Sequence, residues 1–324
     1  MRSEPVLLYG ATGYTGRMTA AEAVRRKLDV VLGGRDDVKL AHLAAELGVP
    51  YRRFDAEDAE LEGIGVLLNC AGPFVRTAAP LMRAAIRAGV SYLDISAELD
   101  GYRVAASLDA EARAAGVMLL PGSGGSVAML GCLAARALEA VREPRRIAIA
   151  LHVAGGMSGG SATSASASVA REPLELAGGV LVASPGMSRS FDFGDGPRPC
   201  FPVTLPELLT LSRATGLQEI ATFAHVSGSA FPSGSPDGPT AAERAANRYQ
   251  AAVEVTDAAG VIHRATLETV NGYSFTPLAA AEAARRALAG ERRPGFQTPV
   301  EVFGNGFAET IADTRIVRRK DISP

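Results

Sequence analysis

The stretch from Pro5 to Gly16, PVLLYGATGYTG, decides the fold of this chain. Val6 to Tyr9 is a short apolar run typical of a buried parallel strand, and Arg17 to Leu28 carries apolar residues at helical spacing. Between them stand three glycines in the spacing GxxGxxG. A strand, a glycine turn and a helix in this order present backbone N–H groups at a helix N-terminus, which suits a dinucleotide's pyrophosphate. The residues expected to hold it are Gly10, Thr12, Gly13, Tyr14, Thr15 and Gly16.

Length and composition set the broad class of the protein. The 324 residues suit two domains rather than one, and the 47% hydrophobic and 21% charged residues are those of an ordinary globular protein. No apolar run approaches the roughly 18 residues of a membrane span, and the N-terminus lacks the pattern of a signal peptide. The net charge of −2 offers no footprint for nucleic acid, so we expect neither a membrane nor a nucleic-acid partner.

Cysteine and histidine usage bears on compartment and metal binding. Cys70, Cys132 and Cys200 are few, odd in number and far apart, which indicates reduced thiols and predicts a cytoplasmic protein. The four histidines form no metal-ligand spacing, so we expect no metal site. Only 3 of the 33 basic residues are lysines, and no tyrosine has a lysine four residues later, which disfavours short-chain dehydrogenase chemistry.

Strands alternate with helices over the first 125 residues. This alternation predicts an α/β fold with a doubly wound parallel sheet, of the Rossmann type. A second, α+β domain is expected to follow it. We expect a dinucleotide-binding domain at residues 1–125 and a substrate or dimerisation domain at 126–275. Residues 276–324 are expected to form a helix and a tail that packs back on the first domain.

Three details of the second half are also predicted. The segments Gln250–Asp257 and Val261–Val270 form a hairpin, and the Gly/Ser/Ala-rich residues 155–170 form an ordered loop rather than a flexible linker. A helix begins with Thr276 as its N-cap and Pro277 at its first position.

Arg35 follows the second strand, at the position that faces the adenosine ribose in this fold. An arginine there accommodates the 2′-phosphate of NADP, whereas an acidic residue binds the 2′-hydroxyl of NAD. Lys39, one helical turn later, either adds a second positive charge or is a solvated side chain. Asp36 and Asp37 are adjacent, which leaves NAD open, but we expect NADP(H) as the cofactor, with NAD(H) as the weaker alternative.

The fourth and fifth strands end in small and polar residues, where ligands bind to open α/β sheets. After the fourth strand we expect the backbone to approach the nicotinamide at Cys70, Ala71, Gly72, Pro73 and Phe74, although the Cys70 thiol itself is more typical of a small buried hydrophobe. After the fifth strand, Asp94 and Glu98 are candidate general acids or bases, and Ser96 is a candidate substrate contact. The alternative is that Asp94 braces the loop and Glu98 begins a helix.

The elements GATGYTGR, GGRD, NCAGPF and YLDISAE resemble the cofactor domain of the saccharopine dehydrogenase-like oxidoreductases, a group that includes trans-acting enoyl reductases. Residues 155–164 are similar to that family's SGGTxxS segment, and residues 271–276 to its GYxxT segment. The resemblance places Ser158 and Gly159 in the substrate cleft, unless this is a polar packing loop. By its position, Tyr273 is a candidate proton donor. His152, on the preceding strand, is more typical of a structural histidine than of a proton donor.

One segment departs from the family. Where relatives carry a sequence such as GFDSVP or GYDYVP after the sixth strand, this chain has GSGGSVA from Gly122 to Ala128, so the family's Asp and Pro are absent and Ser123 becomes a candidate substrate contact.

The resemblance implies hydride transfer to or from a C=N or an activated C=C bond of a small molecule, between which the sequence does not choose. The alternative is a non-catalytic NADP(H)-binding regulator or scaffold. The second domain is a candidate surface for a homodimer.

Overall fold

The structure is a computed structural model, and it describes residues 4–169, 172–228 and 237–319. The chain divides into two compact units. Met1–Gly125 and Phe275–Phe303 form the first unit, and Ser126–Ser274 and Gly304–Pro324 form the second. Of the C-terminal part that was expected to return to the first domain, the portion up to Phe303 lies in the first unit and the tail lies in the second.

The elements of the described chain follow in order. Up to Leu120 they are β1 (Val6–Tyr9), α1 (Tyr14–Arg25), β2 (Val30–Gly34), α2 (Asp37–Leu47), β3 (Tyr51–Arg53), β4 (Val66–Asn69), α3 (Phe74–Ala88), β5 (Ser91–Asp94), α4 (Leu99–Ser107), α5 (Asp109–Ala114) and β6 (Met118–Leu120). The next are α6 (Ser126–Leu138), β7 (Pro144–Ala154), α7 (Gly159–Val169), β8 (Leu174–Ala177), β9 (Val180–Ala183), β10 (Arg189–Asp192), β11 (Pro197–Pro202), α8 (Glu207–Thr215), β12 (Ile220–Ser227), α9 (Ala241–Ala246), β13 (Tyr249–Asp257) and β14 (Ile262–Thr269). The last are α10 (Gly272–Leu288), β15 (Gly295–Phe296), α11 (Pro299–Phe303) and β16 (Arg315–Arg318).

The first unit is built on a parallel sheet of seven strands in the order β15-β6-β5-β4-β1-β2-β3. Its central strands are fully buried, as their continuous apolar sequences require for a sheet covered on both faces. The order reverses between β1 and β4, so the loops that follow these two strands lie side by side at the carboxyl edge. The predicted doubly wound α/β sheet is confirmed.

The second unit is a mixed sheet of nine strands with helices. Seven strands follow the order β10-β11-β12-β7-β13-β14-β16, and the β8–β9 hairpin joins through β12. β7 and β12 are parallel, and the remaining pairs are antiparallel, including the predicted β13–β14 hairpin. On one face, small residues of the central strands pack with Phe191, Phe193 and Phe223 in a buried apolar cluster.

The predictions that Thr276 is the N-cap of a helix and that Pro277 is its first residue were wrong. The helix α10 begins at Gly272 rather than after Thr276, because Asn271 accepts hydrogen bonds from the backbone N–H groups of Tyr273 and Ser274. Pro277 therefore lies inside the helix, where it forms no hydrogen bond to the preceding turn.

The Gly/Ser/Ala-rich segment is also helical in part, because α7 occupies Gly159–Val169. Ser158 supports its first turn: the Ser158 carbonyl accepts from the N–H of Ala162 at 2.9 Å, and its hydroxyl accepts from the N–H of Ser161 at 3.3 Å. Within the described ranges, none of the helices combines the length and the apolar character needed to cross a membrane.

Candidate functional site

The glycine turn between β1 and α1 is a tight backbone cradle. The N–H of Gly10 donates to the carbonyl of Gly33 at 2.9 Å, and that of Gly13 donates to the carbonyl of Gly10 at 3.1 Å. Gly10 has a φ of +79°, and a Cβ on it would lie 2.7 Å from the backbone nitrogen of Ala71. A Cβ on Gly16 would lie 2.1 Å from the carbonyl oxygen of Gly10. Only glycine fits at these two positions, so the turn and α1 pack more closely than any side chain permits.

The first turn of α1 presents backbone donors. The helix begins at Tyr14, and within the described part of the chain no side chain caps it at Gly13 and no acidic residue occupies its first turn. The positive end of the helix dipole and its N–H groups therefore suit an anion. Thr12 and Thr15, which the sequence also predicts to contribute, are half-buried beside this turn.

The charged residues after β2 differ in their exposure to solvent and in their partners. The Arg35 side chain is 72% exposed, with its Nε 4.0 Å from a carboxylate oxygen of Asp55. Asp36 caps α2 by accepting from the N–H of Lys39 at 3.1 Å, a hydrogen bond that holds the pKa of Asp36 below its usual range. The Lys39 ammonium lies 3.3 Å from the same carboxylate. Asp36 is thus occupied as a helix cap, whereas the guanidinium of Arg35 remains accessible to solvent.

The loop after β4 is fixed by side chains. Asn69 accepts from the N–H of Ala71 at 2.9 Å and donates to the hydroxyl of Thr77, which donates in turn to the carbonyl of Ala71. Burial raises the pKa of the Cys70 thiol to about 12, so this group is a protonated thiol at neutral pH rather than a nucleophile.

The end of the same loop begins α3. Gly72 is exposed, Pro73 is the N-cap residue of α3, and Phe74, its first residue, is buried. A Cβ on Gly72 would meet only the Phe74 ring, at 3.8 Å, so small size is not forced there as it is at Gly10.

Asp94 lies fully buried at the end of β5. Its Oδ1 accepts from the N–H of Gly122 at 2.8 Å and of Ser96 at 2.9 Å, and its Oδ2 accepts from the Tyr92 hydroxyl at 2.8 Å. Burial raises the pKa of Asp94 to about 6, against the lowering effect of these hydrogen bonds. This geometry favours the loop brace, one of the two roles considered for Asp94, because the carboxyl group is withdrawn from solvent and engaged at both oxygens.

The two candidate serines of the first unit have hydroxyl groups that are already engaged. Ser123 is fully buried and donates to the carbonyl oxygen of Asp94 at 2.9 Å. The Ser96 hydroxyl accepts from the N–H of Glu98 at 3.0 Å, and the Ser96 carbonyl accepts from the Tyr102 hydroxyl. Both side chains therefore hold the loops after β5 and β6.

Glu98 is the more accessible of the two candidate carboxylates. It is half-buried, and its Oε2 accepts from the N–H of Val75 at 3.1 Å, in the first turn of α3. Glu98 thus adjoins the loop after β4, which the sequence predicts to approach the nicotinamide.

In the second unit, Tyr273 and Ser158 meet although they are far apart in sequence. The Tyr273 hydroxyl accepts from the N–H of Ser158 at 2.9 Å, and both residues are buried. Gly159 begins α7 directly after Ser158. The structure therefore brings three predicted residues together at the start of one helix.

His152, on β7 of the second sheet, lies in a polar cluster that the sequence did not predict. The His152 Nε2 lies 2.8 Å from the Ser227 hydroxyl, and its Nδ1 lies 2.8 Å from a guanidinium nitrogen of Arg198 and 3.0 Å from Gln250 Oε1. Burial lowers the pKa of His152, and the Arg198 charge lowers it further. A neutral, well-bonded ring agrees with the structural role of His152.

Sequence reasoning missed the roles of Asn69, Tyr92 and Gly122 in the network around Asp94. Strand alternation does place Tyr92 on the same face as Asp94, which was a usable signal. The contribution of Gly122 is a backbone N–H from a segment 28 residues later, and a backbone group leaves no trace in residue identity.

Comparisons with known proteins match the part of the chain that contains the glycine turn and the strands β1 to β6. Residues 6–120 match the family described as "Saccharopine dehydrogenase NADP binding domain". Curated relatives include proteins named trans-acting enoyl reductase from Mycobacterium leprae, 34% identical, and Mycobacterium ulcerans, 33% identical. Each alignment covers 30% of this chain and 26% of the relative, so the chain matches about a quarter of the length of these proteins.

Among solved structures, saccharopine dehydrogenase (L-Glu forming) from Saccharomyces cerevisiae is similar over 97% of this chain and 100% of that chain, with a TM-score of 0.62 and 12% identity. At this identity the likeness concerns the fold. The family match confirms the resemblance inferred from the motifs within residues 6–120.

Proposed function

We propose that the chain is an NADP(H)-dependent oxidoreductase, and the match of residues 6–120 to the family described as "Saccharopine dehydrogenase NADP binding domain" supports this proposal. Its substrate is a small molecule with a C=N or an activated C=C bond. The name of the curated relatives, enoyl reductase, supports the C=C alternative. Because the chain matches only a quarter of their length, the activity is a proposal for this protein.

The observation that carries the proposal is the cradle formed by Gly10 and Gly16. A Cβ on either glycine would lie 2.7 Å or less from backbone atoms of Ala71 or Gly10, so the tight turn that leads into α1 forms only while both residues are glycine. The N-terminus of α1, which no side chain of the described residues caps, adds donors and a positive dipole, which suit a pyrophosphate. The residues present thus fit a dinucleotide.

The choice of NADP(H) over NAD(H) rests on the residues after β2. Arg35 is exposed and has a loose contact with Asp55, so its guanidinium is accessible to a 2′-phosphate. Asp36 is engaged as the cap of α2, which leaves it poorly suited to bind the ribose hydroxyls of NAD(H). Lys39 contributes positive charge nearby while it pairs with Asp36.

When bound, NADP(H) supplies or accepts the hydride. The chain's residues bind and orient the reactants: Asn69 fixes the loop after β4, and Asp94 holds the loops after β5 and β6. We assign proton exchange with the substrate to Glu98 or Tyr273, since Asp94 is braced at both oxygens.

Cofactor affinity tests the NADP(H) assignment. We expect Arg35→Ala to weaken NADPH binding by about 10- to 100-fold, the value of one or two charge-assisted hydrogen bonds, and to leave NADH binding nearly unchanged. The matched control is Arg87→Ala, an exposed arginine in the last turn of α3 and hence at the opposite edge of the sheet. Titration by NADPH fluorescence measures both affinities. An equal loss for NADPH and NADH would refute the assignment.

Turnover tests whether the protein is an enzyme. NADPH oxidation is followed with a panel of imines, enones and enoyl thioesters, and Glu98→Gln and Tyr273→Phe are compared at matched NADPH saturation. We expect one of these two variants to lose turnover while it binds NADPH normally.

The second candidate function is an NADP(H)-binding regulator. It is favoured by the engagement of Asp94, Ser96 and Ser123 in loop bracing rather than in an open site. Tight NADPH binding without oxidation across the whole panel would support it.

A further inference from the structure

Arg53, the last residue of β3, lies beside the turn that carries Arg35. In the register of the parallel pair β2–β3, Gly34 pairs with Arg53, and the N–H of Phe54 donates to the carbonyl of Gly34 at 2.9 Å. The Nε of Arg53 donates to the carbonyl of Arg35 at 3.2 Å. The Arg53 guanidinium is therefore held against the backbone of the residue that we assign to the 2′-phosphate of NADP(H).

The hydrogen bond to Arg35 leaves most of the Arg53 donors unused. Arg53 is exposed, and within residues 4–169, 172–228 and 237–319 its Nη1 and Nη2 groups have no hydrogen-bond or ion-pair partner. The preceding arginine differs, because Nη1 and Nη2 of Arg52 donate to the carbonyls of Glu60 at 3.3 Å and of Glu62 at 3.2 Å. Since successive side chains of a strand point to opposite faces, the Arg52 side chain is occupied on one side of β3 and the Arg53 side chain is available on the other.

Two guanidinium groups with unused donors thus stand at neighbouring strand ends. The ion pair of Arg35 with Asp55 is loose, at 4.0 Å, and the Arg35 side chain is 72% exposed. Positive side chains at adjacent strand ends repel each other, and an anion that both of them contact removes this repulsion. A phosphate monoester carries about two negative charges at neutral pH and offers several acceptor oxygens, so it suits two guanidinium groups better than one.

We propose that Arg53 is a second ligand of the cofactor's 2′-phosphate and that it contributes, with Arg35, to a preference for NADP(H) over NAD(H). This inference rests on the proposed function, because it concerns the same cofactor site. Arg53 keeps its Nε on the carbonyl of Arg35, while Nη1 and Nη2 donate to phosphate oxygens. A side chain that is already held in place loses less conformational entropy on binding, and the planar guanidinium matches the geometry of a phosphate.

Two nucleotides that differ only in the 2′-phosphate test this role on the full-length chain: adenosine 2′,5′-bisphosphate and adenosine 5′-monophosphate, each titrated by calorimetry. We expect Arg53→Ala to weaken binding of the bisphosphate by about 10-fold, the value of one charge-assisted hydrogen bond, and to leave binding of the monophosphate unchanged. Arg52→Ala is the matched control, because it removes the same charge one residue away, from a side chain that donates to Glu60 and Glu62. We expect this control to leave both affinities unchanged.

A double variant separates direct contact from the positioning of Arg35. If Arg53 contacts the phosphate itself, Arg53→Ala should weaken binding of the bisphosphate by about 10-fold in the Arg35→Ala background as well. If Arg53 only positions Arg35, its substitution should have no further effect in that background, and this result would overturn the proposal. Equal losses for both nucleotides, or a loss in Arg52→Ala as large as that in Arg53→Ala, would also overturn it.

The same titrations distinguish a failure of this inference from a failure of the proposed function. A wild type that binds the bisphosphate no more tightly than the monophosphate would refute the NADP(H) assignment, and the role of Arg53 with it. A wild type that prefers the bisphosphate, loses the preference in Arg35→Ala and keeps it in full in Arg53→Ala would refute the role of Arg53 alone.

Discussion

Each unit of the molecule buries a carboxyl group completely, and the two surroundings differ. Asp94, at the end of β5, accepts three hydrogen bonds, from two backbone N–H groups and the Tyr92 hydroxyl. Glu207, at the start of α8, makes no hydrogen bond to another residue of the described chain at either oxygen. The same chemical group thus organises loops in the first unit and is only sequestered in the second.

The pKa values reflect this difference. Burial raises the pKa of both groups, to about 6 for Asp94 and to about 7 for Glu207, and the donors around Asp94 offset part of the effect. A buried carboxyl group contributes to stability when donors meet it and costs stability when they do not. We therefore expect removal of the two groups to change stability in opposite directions.

The largest expected effect is at Asp94. Asp94→Ala leaves the N–H groups of Gly122 and Ser96 and the Tyr92 hydroxyl without their acceptor, at about 1–3 kcal/mol each, so we expect a loss of about 4 kcal/mol in the free energy of unfolding. Asp94→Asn retains one acceptor oxygen and should lose less. Urea denaturation at neutral pH measures both variants. Equal effects of the two variants would contradict the bracing role.

The next effect is at Glu207 and depends on pH. Its folded-state pKa is raised from 4.5 to about 7, so the folded state holds the proton more tightly than the unfolded state. The associated penalty is absent near pH 4, grows as the pH rises from 4.5 and is complete above 7, where it reaches about 3 kcal/mol. Glu207→Gln should therefore stabilise the protein by about that amount at pH 8 and leave its stability nearly unchanged at pH 4.

A second glutamate serves as the control for this prediction. Glu243 is exposed, and its pKa is lowered by the hydrogen bond from the backbone N–H of Thr240. Glu243→Gln should consequently destabilise at pH 8, opposite in sign to Glu207→Gln. The prediction fails if Glu207→Gln is neutral or destabilising at pH 8.

A smaller effect is expected at Tyr92. Tyr92→Phe removes one donor to Asp94 and one acceptor of Asn69, while Asn69 keeps its contact with Thr77. We expect a loss of about 1.5 kcal/mol in unfolding free energy, and a further rise in the pKa of Asp94 that carboxyl NMR can follow. A loss as large as that of Asp94→Ala would mean that Tyr92, rather than Asp94, contributes most of the stability of this network.

The smallest effect is expected at Thr210, one turn along α8 from Glu207. Its hydroxyl is buried and has no partner within the described ranges. Thr210→Val keeps the shape and removes the hydroxyl, so thermal unfolding at pH 4 should show a gain of up to about 1 kcal/mol. Destabilisation instead would indicate that the hydroxyl has a partner such as water.

The sequence predicted the parts of this molecule that rest on local patterns. The strand, glycine turn and helix of residues 5–16, and the alternation that follows, correctly predicted the parallel sheet. Capping signals were less reliable: Pro277 looked like a first helical residue, but Asn271 had already started α10. The short strands β8 to β11, of four to six residues, gave no clear periodicity among prolines and glycines.

The site was harder to predict than the fold, because its contacts join residues distant in sequence. Strand alternation places Tyr92 on the same face as Asp94 but gives no sign that the N–H of Gly122 donates to Asp94. The contact between Tyr273 and Ser158 spans 115 residues and involves a backbone N–H. The environment of Glu207 was equally unreadable, because a glutamate at the first position of a helix normally faces solvent.

The interleaving of the two units along the chain has a consequence for biosynthesis. The chain leaves the first unit after Gly125 and returns to it at Phe275, so β15 reaches the edge of β6 only after residues 126–274 of the second unit have been translated. Until then the nascent first unit exposes an unpaired parallel edge on the ribosome, while the second unit still lacks β16. Neither unit is complete before the last part of the chain emerges, so both finish folding late, and a premature stop codon after residue 125 would leave the dinucleotide-binding sheet without its seventh strand.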